Sequence, residues 1–148
     1  MTGTITRLPD LGWMLRPLTE IPGVRHAVVL SEDGLHLGHA SAEGLSGAVV
    51  ELGRDEAESL AAACAAMTMT SRSTASLVFG EGADVRQLML ESEHGFVLFT
   101  AAGVGAHLGV ATDLHADIGL VAQQMQLLVA KIGAHLSSRP RDVVGPPR

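Results

Sequence analysis

The sequence predicts an α/β fold: a three-layer α/β/α sandwich around one five-stranded antiparallel sheet, in the order helix, hairpin, helix, three-strand meander, helix. Two β-rich runs, Val24 to Ser31 and Leu35 to Ala40, flank Glu32-Asp33-Gly34, and an Asp-Gly turn between such runs signals a hairpin. Three further strands are separated only by His94-Gly95 and Gly103-Val-Gly105, connections short enough for antiparallel neighbours. One of them, Gly95 to Ala102, is apolar on both faces, so it must lie centrally with helices above and below.

Residues 1 to 8 read as a flexible leader. Leu11, Met14, Leu15 and Leu18 then recur at helical spacing behind Asp10, a good N-cap type, and Pro17 should kink or end that short helix. Ile21-Pro22-Gly23 forces a turn. In the second hairpin strand Leu35 and Leu37 share one face, while His36 and Gly38 take the other. Ser41 to Gly53 is a connector of small residues, and its middle, Ala48 to Leu52, reads either as a turn of helix or as a loop. Asp55-Glu-Ala-Glu58 has the form of a capping box and opens an alanine-rich helix running to about Arg72.

Gly80-Glu-Gly82 is a turn, followed by strands at Val85 to Ser92, Gly95 to Ala102 and Ala106 to Thr112. In the first of these Leu88 and Leu90 alternate with Gln87, Met89 and Glu91, which leaves one face wetter. Asp113 is read as the cap of the last and longest helix, whose stripe comprises Leu114, Ile118, Val121, Met125, Leu128, Ile132 and Leu136. Residues 138 to 148, rich in Pro and Arg, read as a disordered tail, so the domain spans 9 to 137.

Composition narrows the function classes. At 148 residues the chain suits one domain, and 47% apolar with 18% charged residues supports a real core. Ten basic residues against sixteen acidic ones, with no Tyr and one Trp, argue against nucleic-acid binding, which draws on phosphate neutralisation and base stacking. Cys64 is the only cysteine and lies in an apolar Ala-rich context, which suits a buried structural thiol. The N-terminus lacks the form of a signal peptide, and the uncharged stretch Gly95 to Thr112 is broken by glycines and shorter than the ~20 residues a membrane helix needs. A soluble, cytoplasmic protein without membrane insertion is expected.

Searching for chemistry yields little. Seven histidines make a metal site worth considering, but His36 and His39 should face opposite sides of their strand. His94, His107 and His115 have no carboxylate at a ligand-like interval, and His26 and His135 are isolated. Gly80-Glu-Gly82 and Gly103-Val-Gly105 suit turns, since no phosphate-loop pattern or lysine accompanies them. No serine sits in a nucleophile elbow, and Asp55, Glu56 and Glu58 are accounted for by a helix start. The expectation is no enzyme, no cofactor and no metal.

The middle helix is more informative. Ala61, Ala62, Ala63, Ala65 and Ala66 extend its small apolar surface around most of the circumference. Alanine is a good helix former, so this can be an ordinary core helix; it can also be a helix on which a second protein body packs closely.

Several segments together carry a family resemblance: Leu11-Gly-Trp-Met-Leu15, Ile21-Pro-Gly-Val-Arg-His-Ala-Val-Val-Leu-Ser-Glu-Asp-Gly34, Gly53-Arg-Asp-Glu-Ala-Glu-Ser-Leu-Ala-Ala62, Val85-Arg-Gln-Leu-Met-Leu-Glu91, Gly95-Phe-Val-Leu-Phe-Thr-Ala101 and Asp117-Ile-Gly-Leu120. In order and spacing, over residues 8 to 137, they resemble actinobacterial members of the roadblock/dynein light chain family. The resemblance implies a homodimer in which two sheets join through the strand at Val85 to Ser92 and the middle helices pack side by side. It also implies a Ras-like small GTPase as partner, and association with a sensor histidine-kinase-like protein. The residues it nominates for the interface are Arg54, Glu58, Ala62, Ala65, Met69 and Arg72 of the middle helix, with Gln87, Met89 and Glu91 of the strand. Two departures stand out: the connector 41–53 is longer than the family pattern, and Gly53 replaces a polar cap. A small-ligand sensor with a pocket between sheet and helices, and a purely structural assembly subunit, remain the alternative readings.

Overall fold

The computed structural model describes residues 10–46, 51–102 and 105–137. The leader, the tail, most of the connector's ambiguous middle and the Gly103-Val104 link lie outside the described residues. A 3-10 turn at Gly12–Leu15 leads into a short helix α1 (Arg16–Thr19), then β1 (Val24–Ser31), β2 (His36–Ser41), α2 (Arg54–Phe79), β3 (Gln87–Ser92), β4 (Gly95–Ala101), β5 (Ala106–Asp113) and α3 (Ile118–Ser137). The strands form one antiparallel sheet in the order β2-β1-β5-β4-β3. The predicted three-layer sandwich is the observed one.

Strand parity decides which layer each side chain joins. Ala27, Val29, Leu98, Leu108 and Val110 point to one face, where they meet Leu11, Leu15 and Leu18 and the α3 stripe Val121, Met125, Leu128 and Ile132. Val28, Leu30 and Phe99 point to the other face and meet Ala61, Cys64 and Ala65 of α2. The first cluster holds the bulk of the large buried side chains, each worth about 1.5–3 kcal/mol of hydrophobic transfer. On the second face the buried α2 residues are small, and the larger Leu60 and Met67 pack against them only partly buried.

The structure corrects several local expectations. The first helical segment starts as a 3-10 turn, and Asp10 accepts a bond from Gly12 N–H at 2.9 Å instead of capping a helix. Pro17 falls in the first turn of α1, where its missing N–H costs nothing. No capping box forms at α2: Gly53 is the N-cap without any side-chain cap bond, and Glu58 instead pairs with Arg54 across one helical turn. α2 also runs seven residues past Arg72, because nothing between Ser73 and Phe79 breaks a helix. Its stop is Gly80, which has φ of 100° and donates to Ser76 O.

At α3 the cap is Asp117, whose Oδ1 accepts from Leu120 N–H at 3.1 Å. Asp113 instead closes the preceding turn through His115 N–H at 2.8 Å, which leaves Leu114 exposed. With 20 residues, α3 is also shorter than the 26-residue α2.

The hairpin is tight and bulged. Gly34 takes φ of 88°, and a Cβ built on it would lie 3.1 Å from the Ala65 methyl, so the hairpin tip touches α2. In the β1–β2 register Val29 opposes Gly38 while Leu30 opposes His36, leaving Leu37 as the extra residue of a β-bulge. This reverses the expected parity. His36 shares Leu30's face and His39 shares Val28's, so both imidazoles lie on the α2 side.

Candidate protein interface

The first turns of α2 are buried against the sheet and its last turn is not. Ala57, Ala61, Cys64 and Ala65 are buried, and no α2 residue beyond Ala65 is. At 1.5 Å per residue the helix is about 39 Å long, and its C-terminal half passes the β1–β2 half of the sheet that it packs against. That half ends in Leu77, Val78 and Phe79, which are 87%, 66% and 80% exposed, with Met69 at 66% on the way. Three consecutive apolar side chains in water on a well-formed helix call for a partner.

The sheet offers a matching surface on the same side. β3 is an edge strand, and on its α2 face Leu88 opposes Phe99 and Leu90 opposes Val97. Leu88 and Val97 are only partly buried, and Leu90 is exposed. By contrast, the other edge strand, β2, is tied to the 3-10 turn by a bond from Leu11 N–H to Leu37 O at 2.8 Å. Exposed apolar residues thus occur on two elements, the end of α2 and the edge strand β3, whose outer side pairs with no other described strand. Beneath them a shallow depression is lined by Thr68, Val85, Leu88, Phe99 and His107.

The nominated residues divide unequally over this geometry. Ala62, Met69 and Arg72 of α2 are exposed, whereas Ala65 is buried against the sheet in the smaller core cluster. Arg54 and Glu58 pair with each other at 3.0 Å near the start of α2, away from the apolar half. Gln87, Met89 and Glu91 oppose Thr100, Leu98 and Phe96, which places them on the α3 side of the sheet. They line the same edge as Leu88 and Leu90 but look the opposite way. On the α2 side β3 thus presents Leu88 and Leu90, not Gln87, Met89 and Glu91, while Ala62, Met69 and Arg72 are exposed on α2 itself.

Sequence reading missed Leu77, Val78, Phe79, Leu88 and Leu90. Leu88 and Leu90 are legible as the drier side of an apolar alternation, which does not say that this side stays partly open. Leu77-Val-Phe79 directly precedes a Gly-x-Gly turn, which signals a helix end more strongly than the polar run before it.

Four histidines share the α2 face. His26 Nδ1 lies 2.8 Å from Ser41 Oγ, which also accepts from Leu52 N–H at 2.9 Å and so pins the end of the connector to the hairpin. His36 Nε2 and His39 Nδ1 are 2.8 Å apart, one ring donating and the other accepting. Burial holds the His36 imidazole below its ordinary 6.5, with His39 and Arg54 adding to the effect and Glu58 and Asp10 opposing it. His107 on β5 is also held low, first by burial and then by Arg72, against Glu32. The expectation that His36 and His39 point apart is overturned by the bulge. Even so, among the described residues no group of three or more His, Cys, Asp or Glu side chains is placed to hold a metal. The Cys64 thiol is pushed up to about 12 by burial, and a thiol so placed is inert. Among the described residues, no helix is long and apolar enough to cross a membrane.

Comparison with known proteins fits this architecture. The Roadblock/LC7 domain model matches residues 11–112. A Roadblock/LC7 domain from Streptomyces avermitilis is 30% identical, with 87% of this chain and 99% of that one covered and a TM-score of 0.75. Another structure described as the Roadblock/LC7 domain from that organism is 38% identical, covering 80% and 94%, with a TM-score of 0.57. The gliding protein MglB from Thermus thermophilus shares the fold at 20% identity, covering 82% and 84%, with a TM-score of 0.70. No curated protein matches. With a family model spanning most of its length and a relative at 30% identity across nearly all of a solved domain, this chain belongs to the Roadblock/LC7 domain family.

Proposed function

We propose that the protein is a non-enzymatic, cytoplasmic homodimeric regulator or adaptor that binds a Ras-like small GTPase within a bacterial signalling module. The observations that carry this reading are the exposed end of α2, with Leu77, Val78 and Phe79, and the edge strand β3, with Leu88 and Leu90, whose outer side pairs with no other described strand. Two copies joined along β3 would continue the ladder through backbone bonds, and their helices would cover each other's apolar halves. Such a joint leaves a paired-helix platform for a second kind of partner. The fold that this chain shares with MglB proteins, and the family resemblance of its segments, support a GTPase as that partner; a sensor histidine-kinase-like protein in the same module rests on the sequence resemblance alone.

The residues assigned to dimer formation are Leu77, Phe79, Leu88 and Leu90; Ala62, Met69 and Arg72 are assigned to the exposed platform. Shape and hydrogen-bonding complementarity, not a reacting group, would do the work. Purified protein incubated with GTP-loaded and GDP-loaded forms of a Ras-like GTPase encoded nearby tests the reading. Co-elution favouring one nucleotide state is expected, and a change in hydrolysis rate separates activation from scaffolding. Absence of binding to either form, with the dimer intact, would leave the structural-subunit reading standing instead.

A further inference from the structure

The fully buried contact of α2 with the sheet is made by alanines and one cysteine, with Leu60 and Met67 partly buried at its margin, and the helix also lies over imidazoles. His36 and His39 on β2 face its first turns, where Arg54 and Glu58 project, with Asp10 approaching from the segment before the 3-10 turn. His107 on β5 faces its second half across from Arg72, with Glu32 of the hairpin turn nearby. His107 is buried and His36 is half-buried.

We propose that these histidines make α2 a proton-operated latch: acidification charges His36 and His107 and lifts the helix from the sheet, withdrawing the surface it presents. The geometry explains the direction. At 2.8 Å, the facing nitrogens of His36 and His39 have room for one proton between them, so the contact cannot carry a hydrogen on both nitrogens. Each added charge is also disfavoured electrostatically by an arginine of α2, Arg54 for His36 and Arg72 for His107. Glu58, Asp10 and Glu32 offset part of this repulsion, but burial outweighs them at both sites.

The sign follows from linkage. Because His36 and His107 resist protonation when α2 is docked, the undocked state takes up more protons as pH falls below about 6.5. Docking is thus fully favoured above that pH and weakens progressively below it. The latch would regulate the interface proposed above and rests on that reading for its consequence; its test needs no partner, so either can fail alone.

Cys64 supplies the readout, since it is fully buried in the α2–sheet contact and is the chain's only thiol. The full chain is labelled with a pyridyl disulfide that reacts in acid, and each rate is divided by that of the urea-unfolded chain at the same pH. From about pH 7.5 to 5.5 the normalised rate is expected to rise about tenfold in the wild type, the behaviour of a local opening linked to protons. In the His36→Gln/His39→Gln/His107→Gln variant it should stay flat. A flat wild-type profile, or the same rise in the variant, overturns the proposal. Should the triple variant not fold, amide exchange on the wild type decides. Acid loss of protection in 54–72 with α3 still protected supports the latch, and simultaneous loss in both overturns it.

Discussion

Gly38 of β2 and Gly12 of the 3-10 turn meet backbone to backbone. A Cβ on Gly38 would run into Gly12 N and lie 2.8 Å from the Leu11 carbonyl carbon, and one on Gly12 would lie 2.8 Å from His39 O. This approach lets Leu11, Met14 and Leu15 reach the core beside the bulged strand. Gly38→Ala is therefore expected to cost about 1–3 kcal/mol, because backbone must move to admit the methyl. Gly119→Ala, in the first turn of α3 with only Asp117 Oδ1 at 3.5 Å, should instead stabilise by about 0.4–1 kcal/mol. Urea denaturation of the two variants distinguishes crowding from the loss of glycine as such.

Cys64 gives a prediction at the alkaline end. Its thiol ordinarily titrates at 9.0 and is pushed up to about 12 in the fold, so the native state holds its proton where the unfolded chain has released it. The stabilisation is complete below about pH 9 and is lost as pH rises through 12. The chain has no tyrosine, and Lys131 is its one lysine, so few other side chains titrate in that window. Wild-type stability should fall between pH 9 and 11 more steeply than that of Cys64→Ala. Parallel curves would show that the thiol is not buried as described.

Asp117→Ala should destabilise the protein by about 1 kcal/mol, the usual worth of a helix N-cap, with fraying confined to the start of α3. Arg54→Ala, which removes a solvent-exposed pair with Glu58, should change stability by less than about 0.5 kcal/mol. Thermal melts of both variants, with amide exchange on the first, check the contrast.

The layered fold was legible because its signals are local and redundant. Glu32-Asp33-Gly34 fixes the hairpin, the doubly apolar strand at Gly95 fixes a covered centre, and Val121, Met125, Leu128 and Ile132 fix the face of α3. What escaped depends on single-residue parity or on choosing between similar residues. One bulged residue, Leu37, turns His36 and His39 to the same side, and no composition signal marks such an insertion. Asp113 and Asp117 are equally good caps in the text, and only the intervening turn selects the second. For the nominated residues, the elements were legible but not the side of the sheet that each residue takes. Met89 and Leu90 are both apolar, and which of them joins α2 is set by register with Leu98 and Val97.

That difference of face makes a sharper variant pair than charge reversal alone. Ala65→Arg should unfold the domain, since the side chain has no room between α2 and the hairpin tip. Leu77→Asp/Phe79→Asp should leave the monomer's fold intact, because both residues are exposed. Circular dichroism reads the first effect, and the second is visible only in the state of association.

Light scattering at micromolar concentration therefore tests the central claim most directly. The wild type is expected at twice the 15.4 kDa of one chain, and the Leu77→Asp/Phe79→Asp variant at 15.4 kDa with an unchanged spectrum. A wild-type mass of 15.4 kDa, or a variant that stays paired, would contradict it.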